Sequence, residues 1–288
     1  MTKISFSSVL KLMKLKVSVA VTFTAIAGYI IFSHQLNIDI LYLMLGVLLL
    51  ASGSSALNQV QESPYDAIMH RTSKRPIPMG LLSNQQAFIW SVFFIISGSA
   101  ILYFAYCSVP LLLGLFNVLW YNGIYTPLKR KSAFAVVPGS LVGAVPVYIG
   151  WTAAGGLISD TTILFVGLFL FIWQVPHFWL LMLKYGDEYR QAGFKTITGT
   201  IHAITLPKII FVWVLCTSFS SLIVPLFLSK LSLLFFLLVF SLNLIFISLF
   251  VQMAFNSEKP IPFKRSFIGI NVYMMVFMLF LIAFHLIS

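Results

Sequence analysis

Long apolar runs separated by short polar segments recur along the whole chain, near residues 15–33, 39–60, 86–105, 109–127, 134–154, 160–183, 207–229, 232–254 and 267–287. Each is about as long as the roughly 20-residue helix that crosses a hydrocarbon core of about 30 Å. The pattern predicts an all-α protein: a polytopic membrane helical bundle of about nine transmembrane helices. The polar segments between runs carry nearly all of the charge, so they hold the clues to orientation and chemistry. Residues 1–288 read as a single membrane-embedded domain, with no linker of low complexity. Four helices separate two acidic segments, a spacing that suggests two four-helix pseudo-repeats plus a final helix.

Composition agrees with the pattern. The chain is 60% hydrophobic and 9% charged, with a mean hydropathy of +1.00, whereas an ordinary soluble domain carries about 25% charged residues. The two cysteines, Cys107 and Cys216, lie in or beside apolar runs and read as buried free thiols. The lysine-led first run, through Phe32, exceeds a typical signal-peptide core and has no evident small-residue cleavage site. It reads as a first transmembrane helix, and a bacterial inner (cytoplasmic) membrane is the expected location.

Charge then orients the bundle. With nine spans, 17 of the 18 lysines and arginines fall on one face, and only Lys230 falls on the other. Basic residues favour the cytoplasmic side, so the N-terminus is expected inside and the C-terminus outside. The net charge of +11 belongs to that face, where it attracts anionic lipid of the bilayer. Nucleic acid is excluded as a partner, because no soluble domain presents a groove.

Only seven residues are acidic, and four of them form two stations on the basic face: Glu62 with Asp66, and Asp187 with Glu188. Asn58, Glu62 and Asp66 are spaced four apart, which on a continuous helix places them on one face. Pro64 interrupts this, since an interior proline lacks an N–H and crowds the preceding turn. The expectation is a helix ending near Glu62, then a fresh turn capped by Ser63 with Pro64 at its first position. On the structural reading, Asp66 is an N-terminal acid of that turn and Glu62 pairs with Arg71 or Lys74. On the functional reading, hard oxygen ligands suit Mg²⁺ held with substrate phosphates, and Arg71, Lys74 and Arg75 suit phosphate oxygens. The constellation then describes a receptor for a magnesium diphosphate whose hydrocarbon tail enters the bundle.

The stretch "NQVQESPYDAIMHRTSKRPIP" (58–78) resembles the first acidic motif of the UbiA superfamily of intramembrane prenyltransferases: Asn-xxx-Asp-xxx-Asp followed by Arg-Thr-x-x-Arg-Pro. Within it, "YNGIYTPLKRKSAFAVVPGSLVGAVPVYIGW" (121–151) and "WQVPHFWLLMLKYGDEYRQAGF" (173–194) are similar to the heme O synthase branch, and "FKRSFIGINVYMM" (263–275) is a fainter echo. Glu62 stands where the general pattern has Asp, Ser63-Pro64 replaces a charged or apolar pair, and Tyr185-Gly186 stands where basic residues are common.

The resemblance implies transfer of a farnesyl group from farnesyl diphosphate to a vinyl group of heme B, with Mg²⁺ as cofactor and a heme A synthase as a candidate acceptor of the product. It implies that Asn58, Glu62 and Asp66 hold one Mg²⁺, and that Asp187 with Glu188 serves a second ion or the far side of the diphosphate. Arg71, Arg75, Lys129 and Lys184 become diphosphate contacts. His177 becomes a heme contact; its alternative role is to bond a carbonyl freed by Pro176. Trp173, Phe178 and Trp179 suit a porphyrin or prenyl chain, and equally suit membrane packing. His70 reads as a solvated loop residue, and His34, His202 and His285 as peripheral. Two rival functions stand beside this one. A UbiA-type enzyme acting on a quinone precursor differs in its acceptor, and a transporter would place its charges nearer the bilayer midplane.

Overall fold

The computed structural model describes residues 5–228, 232–255 and 263–287. Lys3, Lys230 and Lys259, counted above among the basic residues that orient the chain, lie outside the described residues. Those described form helices and loops, with no strand among them. In order they are α1 (Phe6–Leu12), α2 (Leu15–Ser33), α3 (Asp39–Ile68), α4 (Asn84–Tyr106), α5 (Ser108–Leu119), a π-helical segment (Trp120–Tyr125) and α6 (Thr126–Lys131). Then follow α7 (Val136–Gly139), α8 (Leu141–Ala153), α9 (Thr161–Gln191), α10 (Thr205–Ile223), α11 (Leu233–Phe255) and α12 (Phe263–Ile287).

Among the described residues eight helical stretches are long and apolar enough to cross a membrane, α7 and α8 together making one of them. The run near 109–127 is the exception, although residues 108–131 are helical throughout. Its α-geometry is broken by the π segment, which divides it into shorter pieces. Outward faces carry large apolar side chains, such as Phe104 at 85% and Phe219 at 66% exposure, as a lipid-facing surface requires. Cys107 and Cys216 are also exposed, not buried as expected. Cys216 lies on an outward helix face, which in lipid has no need to hide a thiol that behaves as a small hydrophobe, and Cys107 stands at the junction of α4 and α5.

Consecutive helices pack as neighbours, α3 on α4 and α9 on α10, while α2 crosses α8 and α12 returns to pack on both α2 and α9. Lipid is as apolar as leucine, so association inside a membrane relies on close backbone approach and not on escape from water. The crossing of α2 and α8 meets that need with two glycines. A Cβ on Gly28 would overlap the Val147 carbonyl, and one on Gly150 would overlap the Ala25 carbonyl. The second half has its own aromatic core, in which Phe246 stacks on Tyr273 at 3.8 Å between centroids. There Tyr273, Ser221 and Asn243 bond one another in a buried polar knot. His285, expected at the periphery, is 4% exposed, because its Nδ1 bonds the Leu281 carbonyl one turn back and its ring meets that of His34.

Candidate active site at the polar end of the bundle

Helix α3 does not break at Glu62. It runs through Pro64 to Ile68, against the expectation of a fresh turn there. Pro64 lies within the last two turns and faces outward, where losing one backbone hydrogen bond costs least. The end of the helix is held instead by the Thr72 hydroxyl, which donates to the Asp66 carbonyl at 3.0 Å. Continuity keeps Asn58, Glu62 and Asp66 on a single face, at 1%, 4% and 0% exposure. Burying two carboxylates requires compensation.

Cations from elsewhere in the chain supply it. Arg75 Nη1 lies 2.5 Å from Asp66 Oδ2, and Lys129 Nζ lies 2.5 Å from Glu62 Oε1. Glu62 therefore pairs with a lysine on α6 and not with Arg71 or Lys74, because its face of α3 points into the bundle. Asn58 accepts from Lys14 Nζ at 3.2 Å and donates to Thr126 Oγ1 at 3.1 Å. Loss of solvation, then the charge of Arg75, pulls the Lys14 ammonium down from its usual range to about 7. Arg130 spans α3 from the other side. It donates to the Gln61 carbonyl at 2.7 Å and lies over the Tyr65 ring at 4.5 Å.

The π segment connects these pieces. Single π turns inside α-helices frequently mark functional sites, and this one carries Asn122. The Asn122 side chain accepts from Ser54 Oγ at 2.7 Å and donates to Gln61 Oε1 at 3.2 Å. Its carbonyl accepts from Gln61 Nε2 at 3.0 Å. Ser54 is one turn before Asn58 on the same face. It also lines a cavity of about 160 Å³, enclosed by Ser55, Asn117, Tyr121, Tyr125, Gln174, Phe178 and apolar residues of α2, α3 and α8. The trio itself does not line this largely apolar hollow; its face of α3 begins one turn beyond Ser54, which does.

The second station is different. Asp187 is 80% exposed and pairs with Arg190 one turn on, at 2.9 Å. Glu188 instead accepts from the Arg71 backbone N–H at 3.0 Å, while the Arg71 side chain donates to Tyr189 Oη at 2.7 Å. Glu188 thus ties α9 to the loop after α3. Lys184 is exposed and lies over the rings of Tyr185 and Phe263, where it contacts neither acidic station among the described pairs. Deeper in α9, Trp173 donates to the Ile270 carbonyl at 2.8 Å. His177 lies among the rings of Trp173, Phe178 and Phe267, and its Nδ1 is buried with no hydrogen-bond partner. Its alternative role, bonding a carbonyl freed by Pro176, is therefore not filled through Nδ1.

Sequence reasoning missed Lys14, which it counted only as topology, and Asn122, Thr126 and Arg130. An amide inside an apolar run is an available signal for Asn122; Lys14 offered none beyond its charge. Among the described residues no group of three or more His, Cys, Asp or Glu converges as a metal cage. The donor set is two carboxylates and an amide, and buried Asp66 Oδ1 has no hydrogen-bond partner. That is the oxygen-rich, incomplete set that Mg²⁺ accepts when substrate phosphates and water finish its shell.

Solved structures share this fold. A digeranylgeranylglyceryl phosphate synthase superimposes with a TM-score of 0.77 at 16% identity, covering 98% of this chain and 99% of the other. A UbiA homolog from Archaeoglobus fulgidus, bound to GPP and Mg²⁺, does so at 0.71 and 14% identity over 98% and 100%. Sequence relatives are nearer. A protoheme IX farnesyltransferase of Geobacter sulfurreducens is 41% identical over 60% of this chain, which spans 64% of that relative's length. One from Nitratidesulfovibrio vulgaris is 33% identical over 79% of each chain. The model of the UbiA prenyltransferase family matches residues 20–285. The chain therefore belongs to the UbiA prenyltransferase family, among its protoheme IX farnesyltransferase relatives.

Proposed function

We propose that this protein transfers the farnesyl group of farnesyl diphosphate to a vinyl group of heme B, giving heme O. The observation that carries the reading is the buried trio Asn58, Glu62 and Asp66, set among cations on the face of α3 that continues from Ser54, a lining residue of the apolar cavity. In the reaction the allylic carbon–oxygen bond breaks and diphosphate leaves with its electron pair. The vinyl terminal carbon bonds the farnesyl carbon, and water adds at the neighbouring carbon with loss of a proton.

Asn58, Glu62 and Asp66 would hold Mg²⁺, which when bound supplies Lewis-acid stabilisation of the leaving diphosphate. Arg71, Arg75 and Lys129 bind and orient the phosphate oxygens, and their fixed charge favours the developing anion. Asp187 and Glu188 serve the outer side of that group, Glu188 by holding the Arg71 backbone; Lys184 attracts it from the surface. Tyr121, Tyr125 and Phe178 wall the cavity, keep water from the allylic carbon and accept the isoprenoid tail, each buried methylene contributing about 0.8 kcal/mol. Phe178 also touches the His177 ring, so the heme is assigned to the His177–Trp173 side of that wall. The cytoplasmic membrane of a bacterium, with the trio facing inward, is the proposed setting. Residues 1–288 work as one domain, and a heme A synthase is the proposed recipient of the product.

The test is direct. Purified protein with heme B, farnesyl diphosphate and Mg²⁺ is expected to yield a heme heavier by one farnesyl group and one hydroxyl, by mass spectrometry. EDTA is expected to abolish it. Failure of the product to form with sound heme would overturn the acceptor. His177→Ala is expected to weaken heme binding at least about tenfold with diphosphate binding unchanged; an unaltered heme titration removes that role.

A further inference from the structure

Three cations meet the three proposed ligand residues one to one. Lys14 Nζ reaches Asn58 Oδ1 at 3.2 Å, Lys129 Nζ reaches Glu62 Oε1 at 2.5 Å, and Arg75 Nη1 reaches Asp66 Oδ2 at 2.5 Å. They come from three places in the chain: the start of α2, α6 and the loop after α3. We propose that Lys14, Lys129 and Arg75 are exchangeable counter-cations, occupying the oxygens that Mg²⁺ would take and turning to the diphosphate when ion and diphosphate arrive together. This rests on the functional reading above and adds Lys14 to the site.

Two observations mark the pairings as placeholders. Asp66 Oδ1 is left without a hydrogen bond, and Glu62 Oε1 has charge contact with Lys129 but no well-formed hydrogen bond. Saturated structural ion pairs satisfy such atoms. Lys14 is also brought in on purpose-built backbone. It sits in the left-handed region at φ 46, which a non-glycine residue seldom occupies. Its turn is pinned by Gln59, which donates to the Leu12 carbonyl at 2.6 Å, and by Ser18, which donates to the Met13 carbonyl at 2.8 Å. Gln59 neighbours Asn58, so the helix bearing the ligands also holds their counter-cation.

The consequence follows from charge. A divalent ion at these oxygens would lie within a few ångströms of three cations, and like charges that close repel strongly. Metal alone must displace them; metal with diphosphate gives them a new partner. Each ligand should therefore bind weakly without the other.

The experiment uses the full chain in lipid nanodiscs. Mn²⁺ alone is titrated by electron paramagnetic resonance, and radiolabelled inorganic diphosphate is titrated separately in saturating Mg²⁺. For Lys129→Gln, Mn²⁺ binding is expected to tighten by about tenfold while diphosphate binding weakens by about tenfold, the scale of removing one nearby charge. Lys14→Met should move both in the same opposed directions, by less. It uncaps only a neutral amide, so folding is not at stake. Weakening of both ligands, or unchanged Mn²⁺ affinity in either folded variant, overturns the exchange and leaves ordinary structural pairs. A wild-type protein that binds neither Mn²⁺ nor diphosphate would overturn the functional reading itself.

Discussion

The two acidic stations share residue chemistry and the same end of the bundle, yet their surroundings make them different instruments. Asp66 and Glu62 are buried, Asp66 facing Arg75 from the loop that follows its own helix and Glu62 facing Lys129 from a distant part of the chain. Asp187 stands in the open and pairs with a neighbour on its own helix. An exposed pair three residues apart contributes little, because water screens it and two long side chains lose freedom. A buried pair is costly to break, since removing one partner strands a charge. Burial, more than the presence of carboxylates, separates a station able to fix an ion from one that tunes its edge.

Substitutions can break that comparison. Asp66→Asn is expected to lower turnover at least about a hundredfold, or about 2.7 kcal/mol of transition-state stabilisation, with the protein still folded in the membrane. Near-normal turnover would reduce Asp66 to a structural acid. Arg75→Gln should destabilise the fold by about 3 kcal/mol, read by thermal unfolding in detergent, whereas Arg190→Gln should leave the melting temperature unchanged. Equal losses would erase the contrast between the stations. The smallest effects belong to the second station itself. Glu188→Gln is expected to raise the KM for farnesyl diphosphate about fivefold by loosening Arg71, roughly the loss of one modest hydrogen bond. Asp187→Asn is expected to change it less than about twofold, and a larger effect from Asp187 would promote the exposed station.

The bundle was legible because hydropathy alone marks segments that must be helical in lipid, and each of the nine runs is mainly helical over the residues described, that near 134–154 being interrupted at Ser140. The site was half legible. The four-residue spacing of Asn58, Glu62 and Asp66 gave its face correctly, but Pro64 argued for a break that tertiary packing overrode. Local reasoning offered Glu62 its nearest cations, Arg71 and Lys74. Its partner, Lys129, is far along the chain, and only the fold brings α6 against α3. Lys14 was hidden for another reason: basic residues flanking a span are expected on orientation grounds, so one recruited into the site is indistinguishable from its neighbours.

The π segment has a consequence best expressed as phase. A helix is a rotating register in which each residue turns the next by about 100°. Trp120–Tyr125 resets that rotation midway, so the α5 half and the α6 half are clocked independently. Adding or removing one residue in the α-helical turn on either side would swing α6 by about 100°, carrying Lys129 off Glu62 and Thr126 off Asn58. The length of this helical run is therefore a setting, fixed by where its far end must point.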